Sequence, residues 1–138
     1  MMILDDFTNT TSTDNISQWL YIHDEDEEND IVIGSSCTHI FKFPFKYSEV
    51  VEHIEIIYKQ GLNNPILIKH DEDVTVAEFK SQCGRDYSTV TLILTPEETK
   101  LFKKTLLDTF VQIKLINKEN ETLYNVPTEL KIRVPLDQ

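Results

Sequence analysis

The sequence predicts an all-β fold: an antiparallel β-sandwich of about seven strands, with one short helix in a strand crossover and an N-terminal arm. Three observations carry this expectation. From residue 31 onward, short stretches of alternating apolar and polar residues follow one another with turn residues between them, the habit of a sandwich. The stretch YSTVTLILTPEETKLF, residues 87–102, carries an apolar alternation that stops at Thr-Pro and then turns into a charged helical start. The 138 residues, 40% of them hydrophobic, make one domain with enough apolar side chain to bury a core.

The strands are expected, in order, at 31–33, 39–45, 53–58, 66–69, 89–94, 109–117 and 129–134, with a possible short one at 122–124. In HIFKFPF, Phe41, Phe43 and Phe45 recur at period two and line one face, and Pro44 confines that end to an edge or a strand terminus. Ile54, Ile56 and Tyr58 alternate in the same way, and QGLNNP supplies the turn of a hairpin before ILIK. Val111, Ile113 and Leu115 point inward in TFVQIKLI, and Leu130, Ile132 and Val134 alternate in the last strand until Pro135 ends it.

Between strands, the joint has its own local logic. Val90, Leu92 and Leu94 form one strand face, and Thr95 stands where a helix cap belongs. Pro96 fits the first helical position, and Glu98 completes a T-x-x-E capping box. Glu97 and Glu98 sit where the helix dipole favours negative charge. Leu101 and Phe102 are expected to bring this short helix down onto the sandwich.

The N-terminal segment differs in composition. Residues 1–15 are rich in Thr, Asn and Asp and offer only Ile3, Leu4 and Phe7 as apolar anchors. ISQWLYI, residues 16–22, alternates well enough for a strand that docks on the body or on a neighbour, with Trp19 and Tyr21 as its large side chains. Then HDEDEEND crowds Asp24, Glu25, Asp26, Glu27, Glu28 and Asp30 into one run whose mutual repulsion favours an exposed loop. A calcium loop of the EF-hand type needs a central Gly that this run lacks, although a weaker cation contact or a basic partner stays open. The division expected is therefore an arm at 1–30 and a sandwich at 31–138.

Charge limits the partners. The formal net charge is −11, which disfavours nucleic acid and anionic membranes, since binding to both rests on Lys and Arg. Removing the six carboxylates of the acidic run from the 24 acidic residues leaves 18 against 13 basic ones, a net −5, so much of the charge is local. No apolar run approaches the ~20 residues of a bilayer span, and the start lacks the pattern of a secretory signal. The chain is thus expected to be made in a cytoplasm.

Chemistry-bearing residues are sparse. Cys37 and Cys83 form no C-x-x-C pair; Cys37 fits a small strand residue and Cys83 a loose thiol in a polar turn. His23, His39, His53 and His70 lie in separate segments without ligand spacing. Asp71, Glu72 and Asp73 form a second acidic turn. No nucleophile stands beside a base, and three glycines leave little material for a phosphate cradle, so neither enzymatic activity nor a cofactor is expected.

Two segments carry a resemblance. Tyr58, Lys59, Gln60 and Gly61 match a "Tyr or Phe, Lys, Gln, Gly" pattern, and Leu94, Thr95, Glu97, Glu98, Thr99 and Phe102 match "Leu, Thr, any, Glu, Glu, Thr, any, any, Phe". In this order along the chain they resemble a family of small immunoglobulin-like proteins encoded in the structural-gene regions of bacteriophages and prophages of Firmicutes. The similarity covers about residues 31–136 and leaves 1–30 as an added arm. It implies an immunoglobulin-like fold, similar to the N-terminal domains that anchor baseplate proteins, and a non-enzymatic virion component with no catalytic residues. The partners expected are other virion proteins in a symmetric assembly, contacted through Ile3, Leu4, Phe7, Trp19 and Tyr21 of the arm. A tail, baseplate or fibre-attachment role is preferred, and a capsid decoration or head-fibre role is the nearest rival. A soluble acidic module that sequesters a basic host protein is the alternative from another class.

Overall fold

The computed structural model describes residues 21–22, 30–62, 64–104 and 108–135. Strand β1 is Tyr21–Ile22, β2 Asp30–Val32, β3 Cys37–Phe43, β4 Val51–Gln60, β5 Leu67–Lys69, β6 Val74–Lys80, β7 Asp86–Leu94, β8 Thr109–Asn117, β9 Thr122–Tyr124 and β10 Thr128–Arg133. Two four-residue helices, α1 at Tyr47–Val50 and α2 at Pro96–Thr99, and a 3₁₀ turn at Asp71–Asp73 complete the order among the described residues.

The strands form two sheets. One runs β2-β10-β8-β4-β5, with β9 also paired to β8; the other runs β1-β3-β7-β6. In immunoglobulin lettering the second sheet is A-B-E-D and the first is A′-G-F-C-C′, so the connectivity is that of an immunoglobulin-like sandwich. All pairings are antiparallel except β2 with β10, which run parallel from Lys131 against Asp30 to Arg133 against Val32.

Period two explains the core. Phe41 and Phe43 on β3, Ile54, Ile56 and Tyr58 on β4, Val90, Leu92 and Leu94 on β7, and Val111, Ile113 and Leu115 on β8 are all buried between the sheets. Each of the large apolar side chains stabilises the fold by roughly 1.5–3 kcal/mol relative to an exposed position. Phe45 is buried although β3 ends two residues before it, because the chain turns over the end of the sandwich and stacks its ring on Phe43 at 5.3 Å. The expected hairpin is present: β4 and β5 pair antiparallel, and Gly61 between them takes the left-handed φ of 63° while its N–H bonds Asp108 O at 2.8 Å.

Several expectations change. VTVAEFK, residues 74–80, is strand β6, an addition to the segments read from sequence; as an edge strand it has no fully buried position, so its alternation is muted. α1 is also new. The N–H groups of Tyr47 and Ser48 at its start bond Ser88 Oγ at 2.8 Å and Glu78 Oε2 at 2.6 Å, partners supplied by the neighbouring sheet. The last strand stops at Arg133 and leaves Val134 exposed, and Leu101 is half-exposed while Phe102 alone buries its ring. The segment 1–30 contributes backbone to both sheets: Tyr21–Ile22 pairs with Lys42 and Phe41 of β3, and Asp30 opens β2.

Candidate functional site

Of the residues expected to form a site, Ile3, Leu4, Phe7, Trp19 and the acidic Asp24, Glu25, Asp26, Glu27 and Glu28 lie outside the described residues. Tyr21 and Asp30 are placed as backbone in β1 and β2. The structural joint, Thr95, Pro96, Glu98 and Phe102, is fully described, and it is a hub.

The capping box forms as its spacing requires. Glu98 N–H donates to Thr95 Oγ1 at 3.1 Å, and Thr95 N–H donates to Glu98 Oε1 at 2.9 Å, with Pro96 at the first helical position. The other carboxylate oxygen of Glu98 accepts from Lys69 Nζ at 2.6 Å, a pair largely withdrawn from solvent that ties β5 to the helix. Burial pushes the Glu98 carboxyl up, but the hydrogen bonds from Lys69 and from the Thr95 backbone outweigh it and hold the group below the usual carboxylate range.

One residue further, Thr99 is fully buried and joins the helix to the turn between β2 and β3. Its hydroxyl donates to Ser35 O at 2.9 Å and accepts from Gly34 N–H at 3.0 Å, and Gly34 makes this turn with a φ of 87°. Phe102 then lays its ring edge-on against Tyr58, with centroids 5.9 Å apart. Gln60, buried at the end of β4, donates from Nε2 to Lys103 O and to Thr109 Oγ1, both at 2.9 Å, and accepts from Lys103 N–H at 3.2 Å. Lys104 Nζ adds a bond to Ile132 O of β10 at 3.2 Å.

The segments YKQG and LTPEETKLF therefore meet in space. YKQG supplies Tyr58 and Gln60, and LTPEETKLF supplies Thr95, Glu98, Thr99 and Phe102, so the crossover between the sheets is locked from both sides. The sequence marked Thr95 and Glu98 because capping is local; the roles of Gln60, Lys69 and Thr99 depend on contacts 29 to 65 residues away.

Beside this hub, His39 of β3 is fully buried, with Nδ1 at 2.7 Å from the Tyr58 hydroxyl and Nε2 at 3.7 Å from Cys37 Sγ. Burial pushes the Tyr58 phenol well above its ordinary value, so it stays protonated as a hydrogen-bonding group. Cys83 is an exposed thiol in the β6–β7 turn, its Sγ 3.2 Å from Ser81 Oγ. Among the described residues, no group of three or more His, Cys, Asp or Glu is placed to hold a metal ion, and no helix is long and apolar enough to cross a membrane.

The outer faces of the two sheets differ. On the sheet containing β4 and β8, Glu55, Lys114, His53 and Asp71 mix charges of both signs. His53 Nδ1 lies 2.9 Å from Asp71 Oδ2, and that hydrogen bond raises the imidazole above its usual value. The outward positions of β3, β6 and β7 carry one formal charge, Lys42, which sits 4.7 Å over the Tyr87 ring; Tyr87 stacks in turn on Phe79. No family model matches the chain, and no curated protein matches it significantly.

Proposed function

We propose that this chain is a non-enzymatic bacteriophage virion structural protein, a tail, baseplate or fibre-attachment component that works through protein–protein contacts. The observation that supports the reading is the convergence of YKQG and LTPEETKLF on one buried joint: the segments on which the expected resemblance rests are those that fix the relation between the two sheets. The buried polar side chains His39, Tyr58, Gln60 and Thr99 are engaged in holding sheet to sheet and crossover to sheet, a use that makes a rigid body for assembly. The N-terminal segment, with Trp19 as its largest anchor, supplies the contact arm in this proposal.

Mass spectrometry of purified particles tests it. The chain should be found at a fixed multiple of a tail or baseplate copy number. A fixed multiple of the capsid count would move it to the head as a decoration or fibre protein. Presence in lysate with absence from particles would refute the virion reading and favour the acidic sequestering module.

A further inference from the structure

Most sheet edges of this molecule are short. Among the described residues β1 has two residues, and β2, β5 and β9 have three each; β6, with seven, is the long edge, paired with β7 on one side only. Such an edge is a template for another strand unless something blocks it. β6 contains neither Pro nor Gly, and its charges are two of opposite sign: Glu78, which accepts from Ser48 N–H at 2.6 Å, and Lys80, an exposed ammonium 2.9 Å from Asp86.

The free hydrogen-bonding groups can be assigned. Ser81 N–H bonds Arg85 O at 2.8 Å in the β6–β7 turn. By antiparallel alternation Phe79 and Ala77 then direct their N–H and C=O groups to β7, and Val76, Glu78 and Lys80 direct theirs to the open side. We propose that β6 pairs antiparallel with β6 of a second copy about a two-fold axis at Phe79, joining two four-stranded sheets into one. In that register residues 78–80 of the two strands overlap and Ala77 meets Ser81 of the other copy: Glu78 of each copy faces Lys80 of the other in a hydrogen-bonded pair, and the two Phe79 rings meet as a non-hydrogen-bonded pair. Centring on Glu78 would set two carboxylates against each other, and centring on Ala77 would oppose Glu78 to Val76 and Lys80 to Val74 with no charge matched.

Charge also selects this face. The chain repels its copies at −11, yet the outer positions of β3, β6 and β7 beside the seam carry only Lys42. The exposed Phe79, stacked on Tyr87 at 5.1 Å, would continue as a row of four rings across the axis. Opposite charges two residues apart obstruct pairing with an arbitrary strand and match an antiparallel copy of the same strand. This inference needs only the strand edge and stands apart from the virion reading.

Sedimentation velocity of the full chain tests it. The mass should double from 16.1 kDa as concentration rises, and Glu78→Lys or Lys80→Glu should each weaken the dimer at least about tenfold. The double exchange of both charges should restore it. In a Cys83→Ser background, Phe79→Cys should form an intermolecular disulfide under mild oxidation, because the two positions face each other directly. A wild-type mass that stays at 16.1 kDa into the millimolar range, a dimer indifferent to both single charge changes, or a double exchange that fails to rescue would each overturn the proposal.

Discussion

The imidazole of His39 and the phenol of Tyr58 meet at 2.7 Å across the gap between the two sheets, and both side chains are fully buried. His39 comes from β3 and Tyr58 from β4, so this bond crosses the sandwich where the core is otherwise apolar. Removing one partner strands a buried polar atom, which costs more than the bond itself contributes. Tyr58→Phe is therefore expected to lose about 1–3 kcal/mol of stability in denaturant unfolding, and His39→Leu combined with Tyr58→Phe to lose less than the sum of the single changes. Additive losses would mean that the two groups do not depend on each other.

The same phenol predicts an alkaline limit. Burial raises Tyr58 well above its ordinary value and Tyr47 to about 12, so in each the folded state keeps a proton that the unfolded chain releases near pH 10. Their contribution is complete below that pH and is lost as pH rises through the folded values. Unfolding free energy measured from pH 8 to 12 should fall above about 10, and Tyr58→Phe should flatten that limb.

At the joint, Thr95→Ala removes the cap of α2 and should cost about 1 kcal/mol, whereas Glu97→Ala loses only a dipole contact of about 0.3 kcal/mol. Glu98 has a further role through Lys69, and its carboxyl is held below the usual range. That stability is present above the unfolded value and is lost as pH falls through the folded one. Glu98→Gln should lower stability at neutral pH, and the gap to the wild type should narrow as pH falls through the folded carboxyl value; equal stability of the two proteins at pH 7 would exclude the ion pair as a tie.

Gln60→Leu keeps the volume and deletes three hydrogen bonds to Lys103 and Thr109. The expected loss is about 1–3 kcal/mol, with amide exchange of Lys103 and Gly61 accelerated before that of β8. Unchanged exchange at Lys103 would show that the crossover is held by other contacts.

Core and surface substitutions should separate sharply. Phe43→Ala, at a fully buried ring stacked on Phe45 and Tyr47, should cost about 3–5 kcal/mol, and Ile93→Ala on the exposed face of β7 should stay within about 0.5 kcal/mol. On the virion proposal, a chain beginning at Asp30 should remain folded and fail to enter particles, with Trp19→Ala weakening incorporation more than loss of the acidic run. If the shortened chain unfolds, the pairing of Tyr21–Ile22 with β3 is part of what holds the sandwich.

The sequence by itself determined whatever depends on neighbours within a few residues. Alternation placed Phe41, Phe43, Ile54, Ile56, Val111 and Ile113 inward, because the pleat has period two. T-x-x-E after a strand specified the cap of α2, because both of its hydrogen bonds span three residues. Only the tertiary structure decided the rest. β6 gained its place from pairing with β7, since an edge strand has one half-buried face and its pattern is weak in the sequence. Ile31–Val32 ran parallel to β10 because segments some 100 residues apart were brought side by side, and nothing local to either encodes direction. His39, Gln60, Lys69 and Thr99 are polar residues whose type alone argues for the surface, although His39 and Gln60 keep the inward phase of Phe41 and Phe43 and of Ile56 and Tyr58. They are buried because each finds a partner on a different element, and the cost of burying a polar group is offset only once the chain has closed around it.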